Sequence, residues 1–191
     1  MIVGLSLAEW TDFKFTNNLS LECNTKISGP AYTRREFMGG VPYSKITNFV
    51  QGNQKRDFEI ELRLIAKESC QIRHTALEAA RVSVNRKMIE ATGEAGYYLQ
   101  IRPYPHQVIR EHKMATGAGA DRISSGMRAA FGRPVGTAAR VKFGDIIMVA
   151  RTTADKASVL REALHKAAIK LPTPCKIEVT KGKEIAGKIG L

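Results

Sequence analysis

Eight bases and two acids share the stretch from Ile101 to Gly144: Arg102, Arg110, Lys113, Arg122, Arg128, Arg133, Arg140 and Lys142 against Glu111 and Asp121. This excess is half of the chain's formal charge of +12, held in less than a quarter of its 191 residues. Charge concentrated on one segment implies a contact surface for a polyanion rather than a general solubility charge. Arginine suits such a surface because its planar fork bonds phosphate oxygens in pairs. A basic face that is merely solvated is the alternative.

Within this stretch runs Lys113-Met114-Ala115-Thr116-Gly117-Ala118-Gly119-Ala120-Asp121-Arg122. It has two glycines and no large apolar anchor except Met114, so it is expected to be flexible in isolation. Small side chains also let a backbone approach a nucleic acid closely. A nucleotide-binding loop fits poorly. Gly117-Ala118-Gly119 lacks the third glycine of a dinucleotide fingerprint, and no Gly-Lys-Ser/Thr follows. An active-site lid fits poorly too, since no carboxylate pair or nucleophile–base pair lies nearby in sequence. A flexible probe entering an RNA cavity fits the flanking arginines best. An enzyme using the glycine-rich loop and a free-standing RNA chaperone or regulator stand as alternatives.

His106 and His112 flank the loop and are able to stack on bases or donate to phosphate. His74 sits beside Arg73, where a polar residue at the edge of a helix–sheet contact is the plainer reading. No two of the four histidines are spaced i,i+4, so metal ligation is not indicated, and no cofactor is called for. Arg34 and Arg35 offer two adjacent guanidinium groups beside Tyr32. Tyr97, Tyr98 and Tyr104 surround a strand; a base-stacking platform there is conceivable, with Tyr97 expected on the core side.

The rest of the composition is that of a soluble globular chain: 43% hydrophobic and 25% charged, with a pI near 9.8. A pI this high is the usual electrostatic footprint of nucleic-acid binding. No run approaches the 20 apolar residues of a membrane span. The apolar run near the start, Ile2 to Ala8, lacks the basic flank of a signal peptide. Cys23, Cys70 and Cys175 are odd in number and far apart, which fits a reducing cytoplasm better than a disulfide framework.

The elements that must carry these residues read as follows. Asp57 to Leu64 alternates as a strand with Phe58, Ile60, Leu62 and Leu64 inward. Ser69 is placed to cap a helix reaching about Ala91. Its buried stripe is Ile72, Ala76, Ala80, Val84 and Met88, with Arg73 and Arg81 off that stripe. Gly93 and Gly96 end it. Tyr97 to Tyr104 is a strand with Tyr97, Leu99 and Ile101 on one face. An irregular stretch runs from His106 to Ala120, then a short helix over Asp121 to Phe131. Thr137 to Val141 and Asp145 to Arg151 are strands. A second long helix, capped by Thr153 or Asp155, reaches Lys170 with Val159, Leu160, Ala163, Leu164, Ala167 and Ala168 inward. Cys175 to Thr180 is a last strand. The order predicts an α+β fold: a two-layer sandwich of a mixed sheet with two long helices, and a long flexible loop. Residues 1–28 form a slightly acidic N-terminal segment, 29–180 a single α+β domain, and 181–191 a basic tail.

Five segments resemble one family. They are Gly29–Glu36 (Gly-Pro-Ala-Tyr-Thr-Arg-Arg-Glu), Gln71–Arg81, Tyr104–Arg110 (Tyr-Pro-His-Gln-Val-Ile-Arg), Lys113–Arg122 and Gly126–Val141. In this order they are similar to the universal large-subunit ribosomal protein sixteen, in its archaeal and eukaryotic branch, also called L-ten-e; the Ala-Thr-Gly-Ala-Gly-Ala-Asp-Arg loop is archaeal in style. The resemblance spans about Gly29 to Thr180. It implies a hammerhead-like α+β fold and a seat on large-subunit ribosomal RNA, between the central protuberance and the GTPase-associated stalk. It also implies that residues 109–122 form a tRNA-proximal loop pointing toward the peptidyl transferase centre and the tRNA acceptor arms. Arg110, His112, Lys113, Met114, Gly117, Gly119 and Arg122 would belong to that loop. The expected RNA-binding set elsewhere is Arg34, Arg35, Arg73, His74, Arg81, Arg102, His106, Arg128, Arg133 and Arg140. The implied role is non-enzymatic: a monomer among neighbouring ribosomal proteins, joining the subunit late. Residues 1–28 depart from the family's short, basic start.

Overall fold

Apolar residues alternating at period two build strand β2, Ile60–Ala66, whose Ile60, Leu62 and Leu64 are fully buried. The computed structural model describes residues 27, 35–112, 114–115 and 117–184, except for the side chains of Arg35 and Ala129. Arg34, the Arg35 side chain, Lys113, residues 1–26 and the tail from residue 185 lie outside this set. Four further strands flank β2: β1 (Val50–Gly52), β4 (Tyr97–Ile101), β7 (Ile146–Thr152) and β8 (Cys175–Lys181), in the order β1-β4-β7-β2-β8. Leu99, Ala150, Leu62 and Val179 are register partners across this sheet and form one row of its core face.

Two helices cover that face: α1 (His74–Thr92) and α3 (Ala157–Ile169). Leu77, Ala80, Val84 and Met88 of α1 and Leu160, Ala163, Leu164 and Ala167 of α3 join the strands in one continuous core. The two helices pack against one another, and Lys87 reaches Glu162 across them at 3.1 Å. Each helix returns the chain to a strand parallel to the one before it, with an antiparallel strand between. The path β2 to α1 to β4 skips over β7, and β7 to α3 to β8 skips over β2. These are two interleaved split β-α-β units.

A second sheet, β3 (Cys70–Arg73), β6 (Arg133–Val141) and β5 (Gln107–Glu111), runs in the order β3-β6-β5. Its Cys70, Ile72, Ala139 and Val141 reach the same core. The α+β class and the layering of helices on sheet stand as read. The mixed sheet is, among the described residues, two sheets in which every pairing is antiparallel. A strand–helix–strand order reveals a crossover but not how many strands it steps across.

Several boundaries also move. Strand β2 starts at Ile60 rather than Asp57, with Phe58 buried ahead of it. Ser69 caps no helix, because β3 intervenes; its hydroxyl instead accepts the Phe143 backbone N–H at 2.9 Å. A four-residue strand offers too few alternations to be separated by period from a helix start. Neither Thr153 nor Asp155 caps α3 by its side chain. A 3-10 turn over Ala154–Lys156 leads in, and the Glu59 carboxylate accepts the Ala154 N–H at 3.2 Å. The stretch after His106 is not irregular but contains β5. The helix expected over Asp121 to Phe131 is a four-residue α2 (Ala120–Ile123) and a separate 3-10 turn, Gly126–Ala129. Gly93 does end α1, with φ 71° and its N–H on the Ile89 carbonyl.

Candidate nucleic-acid interface

The pleat of the small sheet sorts its residues onto two faces. Gln71 pairs with Arg140, and Arg73 and Gln107 both sit opposite Ala138. Gln71, Arg73, Arg140 and Gln107 therefore share the face turned away from Ile72, Ala139 and the core. The Gln71 amide donates to the Gln107 side-chain oxygen at 3.0 Å. This face is polar and cationic, rooted in strands rather than loops.

From this sheet an arm extends. The outer ends of β5 and β6 stay paired, Glu111 opposite Arg133, past a register shift between Ile109 and Arg110. Gly132 is required there: a Cβ on it would stand 2.7 Å from the Glu111 carbonyl carbon and 2.9 Å from the His112 nitrogen. The Arg110 guanidinium lies over the Phe131 ring, 4.0 Å from its centre. His112 ties the arm to the following turn, its Nε2 2.9 Å from the Gly126 carbonyl oxygen. Between them, Gly117 and Gly119 take φ values of 116° and 79°, which L side chains rarely adopt. Gly119 leads into α2, which carries Arg122 outward, and Arg128 rides the next turn. Arg102, Arg110, Arg122, Arg128 and Arg133 are all exposed, as are Met114, Ile123, Met127 and Phe131. The arm is thus a cationic surface interleaved with apolar and aromatic side chains, a combination that meets both phosphate and base.

Several residues of the expected RNA-binding set are engaged within the protein, His74 and Arg81 among them. His74 is only 7% exposed. Its Nδ1 accepts the Lys45 backbone N–H at 2.9 Å, and its Nε2 faces Gly136, where any Cβ would stand 2.9 Å away. Burial, then the nearby Lys45 and Arg73 charges, lower its pKa, so the ring prefers to stay neutral. Arg81 lies on α1 and places its fork on Glu78 in two bonds of 2.9 and 2.6 Å. His74 thus matches its plainer reading as a polar residue at a helix–sheet contact, and Arg81 pairs with Glu78 one turn back on the same helix.

The sequence profile of ribosomal protein L16p/L10e matches residues 27–178, which takes in both sheets up to β8, both long helices and the arm. The chain belongs to this family. Among its relatives are large ribosomal subunit protein uL16 of Picrophilus torridus, 74% identical over 167 residues, and that of Thermoplasma volcanium, 75% identical over 167 residues. Each alignment takes in 87% of this chain and 95% of the relative. The protein of the same name from Methanocella arvoryzae is 53% identical over 163 residues, 84% of this chain and 93% of the relative.

Within this L16p/L10e fold, sequence reading located the cationic residues but not their company. Phe131 under Arg110, and Gln71 bonded to Gln107, were not singled out. Both pairs join residues more than twenty positions apart, and no local pattern encodes such a meeting. A second ionic cluster was also missed: Glu61, 6% exposed, accepts from Arg63 at 2.7 Å and from Arg151 at 2.8 Å on the helix-free face of the five-stranded sheet. Burial alone would raise its pKa, but the two arginine hydrogen bonds and charges outweigh it and hold the carboxyl below its usual range. Arg151 also lies over the Tyr98 ring at 5.1 Å.

Proposed function

We propose that this protein is a structural constituent of the large ribosomal subunit, bound to its RNA in the cytoplasm, and not an enzyme. The observation that carries the reading is near-full-length similarity, at about three-quarters identity, to proteins named for that subunit. The geometry supports it independently: half-buried Arg73 and Arg140 share one face of the small sheet, and exposed guanidinium groups run along the arm that grows from it.

In this reading Arg73, Arg102, Arg128, Arg133 and Arg140 bond ribosomal RNA phosphates, which fixes position without reading sequence. The arm, residues 109–122 with its glycine turn, reaches toward tRNA acceptor arms. Arg110 and Arg122 give it charge, and Met114 and the backbone at Gly117 and Gly119 give it a slim tip. Its role is to seat tRNA, with neighbouring ribosomal proteins at its sides and one copy per particle. Nothing in this role needs a cofactor.

The test is sedimentation of the tagged chain from cells, followed by crosslinking within intact subunits. The expected result is near-complete co-migration with large subunits and crosslinks from the arm to RNA. Finding the chain chiefly in the ribosome-free fraction would overturn the proposal in favour of a free RNA chaperone.

A further inference from the structure

Three aromatic rings outside the arm stand in a ladder. Phe49 packs against the core. Tyr104 stacks on it, with ring centres 5.2 Å apart and an interplanar angle of 28°. His106 rests on Tyr104 at 4.5 Å and 48°. The ladder runs from the protein interior to solvent: Phe49 is half-buried, Tyr104 is 51% exposed and His106 is exposed.

Its geometry is held by the backbone rather than by the rings. The Ile101 N–H donates to the Phe49 carbonyl at 2.8 Å, tying the first ring to β4. The His106 N–H donates to the Tyr104 carbonyl at 3.0 Å, a tight turn that keeps the second and third rings together. Pro103 and the buried Pro105 fix φ on either side of Tyr104. Exposed aromatic surface of this kind is unfavourable in water, and a pre-set stack loses little entropy when another flat group joins it. The surroundings choose that group. Exposed Arg102 sits two residues before Tyr104, and Gln107, next to His106, lies on the cationic face of the small sheet. An aromatic platform with an exposed arginine two residues away along the chain suits a flat ring carried on a phosphate backbone.

We propose that the Tyr104–His106 ladder is a stacking site for an unpaired RNA base. It deepens the ribosomal reading above and rests on it. Selectivity comes from the flat face, so any unstacked base serves, while nearby Arg102 holds the phosphate that carries it.

The test compares His106→Ala, His106→Phe, His106→Lys, Tyr104→Ala and Tyr104→Phe chains for binding to large-subunit RNA. Base-reactivity probing of the bound RNA runs alongside. Stacking predicts a loss of roughly 5- to 150-fold in affinity for either alanine variant. It also predicts that the two phenylalanine variants retain binding, and that one unpaired base turns reactive only when the ladder is broken. A thermal melt of each variant separates this from unfolding, and exposed His106→Ala leaves the fold intact. Wild-type affinity and an unchanged reactivity pattern in both alanine variants would sink the ladder as a site. So would rescue by lysine but not phenylalanine, which signals a phosphate contact. If the wild-type chain itself shows no salt-sensitive binding to this RNA, the ribosomal reading fails first.

Discussion

The depressed pKa of His74 ties stability to pH. An unfolded chain takes up the proton near 6.5, whereas in the fold burial and the charges of Lys45 and Arg73 resist it. The unfolded state therefore binds more protons below that value. The associated stability is complete above about pH 6.5 and falls as the pH drops toward the folded pKa. A melting temperature that declines between pH 7.5 and 5.5 is expected, with a shallower decline in His74→Asn, whose amide oxygen is able to accept the Lys45 N–H. Equal slopes in the two proteins would remove His74 as the cause. Arg110 is the contrasting residue, since its partner Phe131 is 60% exposed. Replacing it with alanine is expected to lower stability by no more than about 1 kcal/mol, the range of an exposed cation–π contact. Its effect on RNA binding is larger: the salt dependence of affinity should lose about one contact, a slope change of roughly 0.7 to 0.9. An unaltered salt slope would place Arg110 off the RNA.

At the scale of elements, the arm and the helical layer depend on different packing. Gly132→Ala drives a Cβ into the Glu111 carbonyl and the His112 nitrogen, so β5 and β6 must part there. The expected cost is about 1–3 kcal/mol, localised to the arm. Hydrogen exchange should quicken at Gln107–Glu111 and stay unchanged in β2 and β7; uniform acceleration would show the arm to be inseparable from the core. Leu164 is fully buried between α3 and the sheet. Leu164→Ala should cost about 2–5 kcal/mol, lower the denaturation midpoint of the whole protein, and leave the RNA salt slope as it was.

Across the whole molecule, a net charge of +12 opposes folding by self-repulsion and favours a polyanion. Binding to large-subunit RNA should weaken linearly in the logarithm of salt concentration. With five exposed arginines on the arm and its approaches, a slope between about −3 and −5 is expected from titrations over 50 to 300 mM salt. A slope near zero would mean that the cationic face does not meet phosphate. The split β-α-β frame makes this arrangement stiff where it must be. The cations of the small sheet sit on strands whose opposite side is core.

Local chemistry along the chain settled a good deal: where the charge concentrates, which side of α1 and α3 is apolar, that Tyr97, Leu99 and Ile101 face inward, and that Gly93 ends a helix. Periodicity and turn chemistry act over a few residues, so one sequence suffices to read them. The family segments carried the rest of the functional reading. Pairing between distant segments was decided only in three dimensions. Strand β5 earned its place by matching β6 across some twenty-five residues, and four-residue β3 is a strand only because β6 lies beside it. The same holds for His74 turning inward to Lys45 and for Arg110 lying over Phe131. Hydrogen bonds and stacking are set by position in space, and neither the identity nor the spacing of a residue says which groups the folded chain brings to it.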